Sequence, residues 1–330
     1  MNSQERIFEL LKEKIPEHYK LKHIVEDILD ISSDSAYRRI SGKKGLTLEE
    51  AEKICQKYRI NIDEVINYNS NQSVLFSYNP IDLENQDNYF NYISQINKRM
   101  EDFLETSKNL EIIYTAQDIP IYHLFKYKDL ALFRLFAWNN IAKTKKKSYN
   151  EMCNIIDQET LMAIHEKSNN LFAQIPTKEI WTELSVDRFL RMIEYYYFSG
   201  PFLNKEESLM LLENLIALIK EINLKAENGN KEITSKANYE LYSCAVEIDS
   251  NVLLINSDNN YLAQVKLHIF NYMGSDNIVF CTELKKWVEN LISQSILISG
   301  KSSIKERYQF FQTLNNKINK TIEKIKVTHI

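Results

Sequence analysis

The sequence predicts a mainly α-helical protein, in which a larger helical C-terminal domain carrying a small antiparallel β-meander follows a small N-terminal helical domain. Helix-breaking residues are sparse, with 6 glycines and 5 prolines in 330 residues. Apolar residues recur at helical spacing over most of the chain, whereas short β-branched or aromatic segments follow Gly229. These observations together predict the fold class.

The composition is that of an ordinary globular protein. Hydrophobic residues make up 44% and charged residues 26%, and 41 Lys and Arg against 45 Asp and Glu give a net charge of −4. These values exclude a disordered chain, a collagen and a histone-like polycation. No apolar run reaches the roughly 18 residues of a membrane span, and the first residues do not resemble a signal peptide. We therefore expect a cytoplasmic protein that does not associate with membranes.

Domain boundaries are predicted from a polar segment near residue 70. Residues 1–70 form the small domain, and residues 71–83 form a linker because Asn69–Ser73 is polar and the bond before Pro80 disfavours helix. Residues 84–330 form the larger domain. A change from helical to strand-like spacing after Gly229 marks an alternative sub-boundary near residue 230.

The small domain is predicted to contain five helices. An apolar stripe at helical spacing predicts a helix that ends near Asp30. The stripe is formed by Ile24, Val25, Ile28 and Leu29. A short helix follows at once, capped by Ser32 or Ser33 and ended by Gly42. The segments Thr47–Glu50 and Asn61–Glu64 are capping-box arrangements, and each opens a further helix.

The larger domain is predicted to be helical apart from one strand and the meander. Helical spacing predicts helices over 86–107, 129–143, 158–174, 183–198, 204–226, 282–294 and 303–325. A strand is predicted over 110–115. Turn-forming Asp, Asn and Ser clusters separate the segments 239–248, 252–256 and 261–267, which predicts the antiparallel meander.

Landmarks of a helix-turn-helix occur in order between residues 20 and 68: Val25, Leu29, the Ile31-Ser32 turn, Tyr37, Ile40, Gly42, Leu48, Ile54 and the segment 60–65. The string SSDSAYRRISGKKGLTLEE at 32–50 lies within this region. The segment resembles the DNA-binding domain of the lambda-repressor/Cro (Xre) family, in a version that occurs in regulators of Bacteroidetes. The family often has a small residue where this chain has Glu26, and glycine where it has Asp30.

The resemblance implies a sequence-specific, DNA-binding transcriptional regulator whose recognition helix, about residues 33–41, enters the major groove. Two registers of this helix remain open. In one, Ala36 and Ile40 face the core, and in the other Tyr37 and Ile40 do so. Arg38 faces outward in both.

Charge placement indicates how this domain would contact DNA. Residues 1–70 contain 12 basic and 13 acidic residues, yet Ser35–Leu48 contains four basic residues and no acid. We expect phosphate contacts from Arg39, Lys43 and Lys44 of this run and from Lys22 outside it. Base contacts are expected from four residues of the recognition helix: Ser33, Asp34, Ser35 and Arg38. Arg38 suits guanine, and Asp34 suits a cytosine amino group.

The expected partners are double-stranded DNA, a second copy of the chain bound through the larger domain, and an effector that is a small molecule or a peptide. A first alternative is a scaffold that uses the helix-turn-helix to bind protein. A second is a nucleotide-binding enzyme built on Gly300-Lys301-Ser302, although position 295 is serine where a P-loop has glycine. Cys55, Cys153, Cys244 and Cys281 lack zinc-site and disulfide spacing, and no catalytic motif is present. We expect no cofactor, no metal and no enzymatic activity.

Overall fold

A computed structural model describes residues 2–16, 19–58, 60–66, 74–81, 85–142, 146–231, 237–258, 260–268, 270–301 and 303–328. The chain divides into an N-terminal unit, Met1–Leu75, and a C-terminal unit, Phe76–Ile330. Each unit has its own hydrophobic core.

The described part of the N-terminal unit contains five helices: α1 (Ser3–Lys14), α2 (Leu21–Leu29), α3 (Ser33–Ile40), α4 (Leu48–Tyr58) and α5 (Ile62–Ile66). Local capping explains several of their starts. Asn2 and Glu5 form a capping box at α1, and Ser32 accepts a hydrogen bond from the Ser35 amide at α3. Apolar faces of the helices converge on a single core, which includes Leu11, Val25 and Ile54.

The turn between α2 and α3 depends on a left-handed residue. Asp30 ends α2 with φ 51° and ψ 53°, a region that favours glycine and that aspartate tolerates better than most side chains. The backbone amides of Asp30 and Ile31 both donate to the carbonyl of Glu26. This closes the helix tightly, so that α3 begins at Ser33. Glycine, which the resembled family often has here, would adopt this conformation without strain.

The C-terminal unit is built on one mixed sheet, whose described strands number eight. They are β1 (Ser77–Tyr78), β2 (Leu110–Ala116), β3 (Thr177–Trp181), β4 (Tyr239–Ser243), β5 (Val252–Ser257), β6 (Asn260–Lys266), β7 (Tyr272–Ser275) and β8 (Ile296–Leu297). Their order is β1-β7-β6-β5-β2-β3-β4-β8. The three strands β2, β3 and β4 are parallel, and all other neighbouring strands are antiparallel.

This sheet contradicts the predicted fold class. A mainly α-helical fold with only a small meander is wrong, because the C-terminal unit contains a large mixed sheet with eight described strands. The segments expected to form the meander are not consecutive neighbours: β5 pairs with β6, but β2 and β3 lie between β4 and β5. Strand spacing and turn clusters show that a segment is a strand, but they do not show which distant strand pairs with it.

The central strand β3 was missed because its sequence, TKEIW, carries two charged residues. Glu179 is nevertheless fully buried. Its carboxylate is satisfied by the His123 ring at 2.9 and 3.0 Å, the Trp181 indole N–H at 2.8 Å and the Tyr239 hydroxyl at 3.0 Å. A buried carboxylate is tolerated when its hydrogen bonds are made, and these partners are up to 60 residues away in sequence.

Helices cover both faces of the sheet: α6 (Gln86–Thr106), α7 (Ile121–Leu124), α8 (Lys128–Ala142), α9 (Tyr149–Ile155), α10 (Gln158–Ala173), α11 (Asp187–Phe198), α12 (Lys205–Asn228), α13 (Ile278–Ser293) and α14 (Ile304–Val327). Alternate side chains of β2 point to opposite faces of the sheet. Ile113 belongs to a cluster with Val288 and Leu291 of α13, whereas Ile112 and Tyr114 belong to the larger core shared with the other helices.

Part of the segment predicted as a linker is structured. Ser77 and Tyr78 form the edge strand β1, which pairs with β7. Residues 71–73, 82 and 83 of that segment lie outside the described residues. None of the described helices combines the length and apolar character that crossing a bilayer requires.

Candidate nucleic-acid interface

The outward face of α3 is set by one small core residue. Ala36 is fully buried, and Ile40 packs against the same core. Tyr37 is 52% exposed. The structure therefore selects the register in which Ala36 and Ile40 face inward. It adds Tyr37 to the exposed face, a position that the alternative register had placed in the core.

Arg38 and Asp34 lie one turn apart on that exposed face. The Arg38 Nε and the Asp34 Oδ2 are 2.9 Å apart, and both side chains are mostly exposed. An exposed i,i+4 pair contributes a few tenths of a kcal/mol, because water screens the two charges and both side chains lose rotamer freedom. The pair can therefore open at little cost when another partner is offered to either group.

Arg39 does not lie where the sequence prediction placed it. The residue is only 4% exposed, and its guanidinium points into the unit rather than toward solvent. Its Nε donates to Glu50 Oε2 at 2.8 Å and its Nη1 donates to the Ser35 carbonyl at 3.2 Å. The buried, paired guanidinium joins α3 to α4, and in this structure it does not lie on the exposed face of α3.

Glu50 also begins α4. Its Oε2 accepts from the Thr47 amide at 3.2 Å, and its own amide donates to the Thr47 hydroxyl at the same distance. This is the reciprocal capping box. The hydrogen bond from Arg39 lowers the pKa of Glu50, outweighing the opposing effect of its burial.

The loop after α3 is fixed by a residue from α1. The Gln4 amide nitrogen donates to the carbonyls of Arg39 and Lys44 at 2.6 and 2.9 Å, and its oxygen accepts from the Leu46 amide at 2.8 Å. Sequence reasoning missed Gln4, because one glutamine on a helix carries no signal of a partner about 40 residues away. The loop exposes Lys43 and Lys44, and Lys43 Nζ lies 5.7 Å from the centre of the Tyr37 ring.

The remaining predicted contact residues lie around the start of α3 and on α2. Ser33 is exposed, whereas Ser35 is half-buried and its hydroxyl lies 3.1 Å from that of Ser32. Lys22 is half-buried in the first turn of α2. Among the predicted contact residues, the exposed cations are therefore Arg38 on α3 and the two lysines of its loop.

The glycine of the P-loop-like sequence has a structural role. Gly300 adopts φ +76°, and its amide donates to the Ala226 carbonyl at the end of α12 at 2.7 Å. Arg307 donates to the carbonyls of Ile298 and Gly300 at 3.0 and 2.9 Å. Ser302 lies outside the described residues. Because the Gly300 amide is already bonded to protein, it does not face a cradle for phosphate.

The C-terminal unit contains a largely apolar cavity of about 330 Å³ between α6 and the sheet. Its lining includes Arg99, Met100 and Phe103 of α6 and Ile112 and Leu253 of the sheet. This volume lies at the lower end of the range for small-molecule sites.

Residues 3–89 match the family model of the BetR domain, a helix-turn-helix-like family of DNA-binding domains. The match covers α1 to α5 and extends into α6. The matched family is BetR rather than lambda-repressor/Cro. No curated protein and no solved structure matches the chain. At this coarse level the match supports a DNA-binding, regulatory role.

Proposed function

We propose that the protein is a sequence-specific transcriptional regulator that binds double-stranded DNA with α3 in the major groove, in the manner of lambda-repressor-type domains. The observation that carries this proposal is the exposed face of α3 and its loop, which presents Arg38, Lys43 and Lys44 within a segment that matches a DNA-binding family. The proposal includes no catalytic step.

Base recognition would centre on the Arg38–Asp34 pair. On binding, the Arg38 guanidinium leaves Asp34 and donates two parallel hydrogen bonds to guanine O6 and N7. Asp34 then accepts from a cytosine amino group. Ser33 supplies an exposed hydroxyl at the start of α3, where Ser35 is half-buried. Lys22, Lys43 and Lys44 contact phosphates and set the position of the helix on the duplex.

We further propose that the chain acts as a homodimer. A single domain of this type reads one half-site, and two half-sites about one helical turn apart require two copies. The C-terminal unit would provide the dimer contact. A small-molecule or peptide effector bound there would change DNA affinity by altering the dimer geometry. The cavity beside α6 has room for such a small molecule.

The test is selection of bound duplexes from a random pool, followed by affinity measurements over a range of salt concentrations. We expect two related half-sites in the selected sequences. Arg38→Ala should lose about 1–3 kcal/mol of discrimination at one position of each half-site. Lys43→Ala should weaken binding to all sequences alike. It should also reduce the steepness of the fall of log K with log salt concentration by about 0.9.

Lys12→Ala, an exposed lysine on α1 outside α3 and its loop, serves as the matched control and should bind as wild type does. A duplex affinity that does not change with salt concentration, or no binding to any duplex, would contradict the proposal and favour a protein-binding scaffold. Unchanged binding by both Arg38→Ala and Lys43→Ala would show that α3 is not the recognition helix.

A further inference from the structure

An open cavity of about 1080 Å³ lies at the carboxyl end of β2, where Gln117 and Asp118 follow the strand. α8 contributes Arg134 to its lining and α11 contributes Arg188. The parallel strands β2 and β3 have their carboxyl ends at the same edge of the sheet. In sheets with parallel strands, ligands commonly bind outside this edge.

Two cations share one buried carboxylate beside this cavity. Asp118 Oδ2 accepts from the Arg134 guanidinium and, at 3.2 Å, from Lys266 Nζ, while Oδ1 accepts from the Ile119 amide at 2.9 Å. The exposed side-chain fractions of Asp118, Arg134 and Lys266 are 3%, 4% and 12%. When Lys266 is protonated, this cluster therefore holds two positive charges against one negative charge in a poorly solvated place.

A buried charge without a counter-ion is unfavourable, because it has lost its hydration without an equal compensating attraction. The pKa of Lys266 is lowered, chiefly by burial and with contributions from the charges of Arg134 and Arg188, although Asp118 opposes the shift. The charged state of the cluster would be stabilised by an additional anion.

The wall formed by α11 adds two more cations. Arg188 and Arg191 are exposed in its first two turns, and neither forms a salt bridge within the described part of the chain. The described lining contains five basic residues and two acidic residues: Arg134, Lys146, Arg188, Arg191 and Lys266 against Asp118 and Asp249. Trp138 and Tyr195 give the lining an aromatic part.

We propose that this cavity binds a small molecule that carries a phosphate or polyphosphate group. Planar guanidinium groups donate paired hydrogen bonds to phosphate oxygens, and several convergent cations match a multiply charged anion better than a single carboxylate. The phosphate lies between Lys266 and the two arginines of α11. The proposal goes beyond the proposed function, because it concerns a different cavity from the one beside α6 and does not depend on DNA binding.

The test uses the full chain and pyrophosphate, titrated by calorimetry at low ionic strength. We expect saturable binding that weakens as salt is added. Arg188→Gln and Arg191→Gln should each weaken it about tenfold or more, the effect of removing one charge-assisted hydrogen-bonding group. Lys98→Gln is the control, because Lys98 is also an exposed cation but, on α6, lines neither this cavity nor the one beside α6. No binding, or equal weakening in all three variants, would overturn the proposal.

Lys266→Met separates a ligand site from a purely structural cluster. The variant keeps the Asp118–Arg134 pair and removes the excess charge, so its unfolding temperature without ligand should equal or exceed that of wild type. The rise in unfolding temperature caused by pyrophosphate should be lost. If pyrophosphate stabilises Lys266→Met as much as wild type, the cluster is structural and the proposal fails.

Competition with duplex DNA identifies the source of the phosphate. A small-molecule site should keep its pyrophosphate affinity in the presence of a duplex selected by the protein. Displacement by the duplex, with weaker duplex binding in Arg188→Gln, would make the cavity a DNA contact and overturn the small-molecule proposal. Pyrophosphate binding without any DNA binding would support this inference while the proposed function failed.

Discussion

The Glu50 side chain has two structural roles. Its carboxylate caps α4 through Thr47 and also binds the buried Arg39 guanidinium. The orientation of α3 on the N-terminal unit therefore depends on a residue of the next helix. Arg38, the adjacent residue in sequence, remains exposed for a different role. Neighbouring arginines thus divide into one that positions the helix and one that we propose reads DNA.

Glu50→Gln should lower the free energy of unfolding of the N-terminal unit by about 2 kcal/mol, because it leaves the Arg39 charge buried without a counter-ion. The three tryptophans, Trp138, Trp181 and Trp287, lie in the C-terminal unit. Urea unfolding followed by circular dichroism, compared with tryptophan fluorescence, therefore assigns the loss to a unit. Glu13→Gln, at an exposed glutamate on α1, is the control and should unfold as wild type does.

The same pair makes a pH-dependent contribution. Because the pKa of Glu50 is lowered from 4.5 in the folded chain, its stabilisation is complete above pH 4.5 and is lost as pH falls through the lowered value. Glu50→Gln should therefore show a smaller loss of stability on acidification than wild type. An equal acid sensitivity in both proteins would show that the carboxylate charge does not stabilise the pair.

At the scale of elements, the loop after α3 takes its conformation from α1. Gln4 binds the backbone on both sides of Gly42, at Arg39, Lys44 and Leu46. The Lys44 amide adds a hydrogen bond to the Arg38 carbonyl at 3.0 Å. Lys43 and Lys44 are therefore presented from a backbone that two elements constrain, which reduces the entropy lost when they contact phosphates.

Gln4→Ala should destabilise the N-terminal unit by about 1–2 kcal/mol, since three backbone groups lose their partner. It should also speed hydrogen exchange at the Leu46 amide and weaken binding to all duplexes. The control is Gln56→Ala on α4, whose amide binds only the exposed side chain of Glu52 among the described contacts. If Gln4→Ala bound DNA with wild-type affinity, the fixed loop would not contribute to binding.

At the scale of the whole molecule, the C-terminal unit buries titratable groups among its helices. His165 of α10 is fully buried, with its Nε2 2.8 Å from the Tyr89 hydroxyl and its ring stacked 4.0 Å from Phe125. Burial lowers its pKa to about 3. The folded unit therefore keeps this histidine neutral at pH values where the unfolded chain protonates it.

The sign of the effect follows from proton uptake. Below pH 6.5 the unfolded chain binds a proton at His165 that the folded chain does not bind, so stability falls as pH decreases toward 3. From pH 7 to pH 5, His165 should lower the free energy of unfolding by about 2 kcal/mol. His165→Gln should flatten that dependence in urea unfolding followed by tryptophan fluorescence. An unchanged pH dependence in His165→Gln would show that this histidine is not its source.

Much of the helical structure could be predicted because its determinants are close in sequence. The capping box of Asn204 and Glu207 opens a helix expected over 204–226 and found at Lys205–Asn228. The helix expected over 158–174 lies at Gln158–Ala173. Caps join residues three positions apart, and apolar periodicity reports which face of a helix is buried. The exposed position of Arg38 follows from the same local pattern.

The sequence by itself determined most of the longer helices, the helix-turn-helix order and the acid-free basic run, since each depends on residues within a few turns of one another. Tertiary structure alone decided the strand order, the inward turn of Arg39 toward Glu50, and the meeting of Asp118, Arg134 and Lys266. Asp118 and Lys266 are 148 positions apart. Local spacing carries no information about such partners, because they meet only when the whole sheet and its helices have packed.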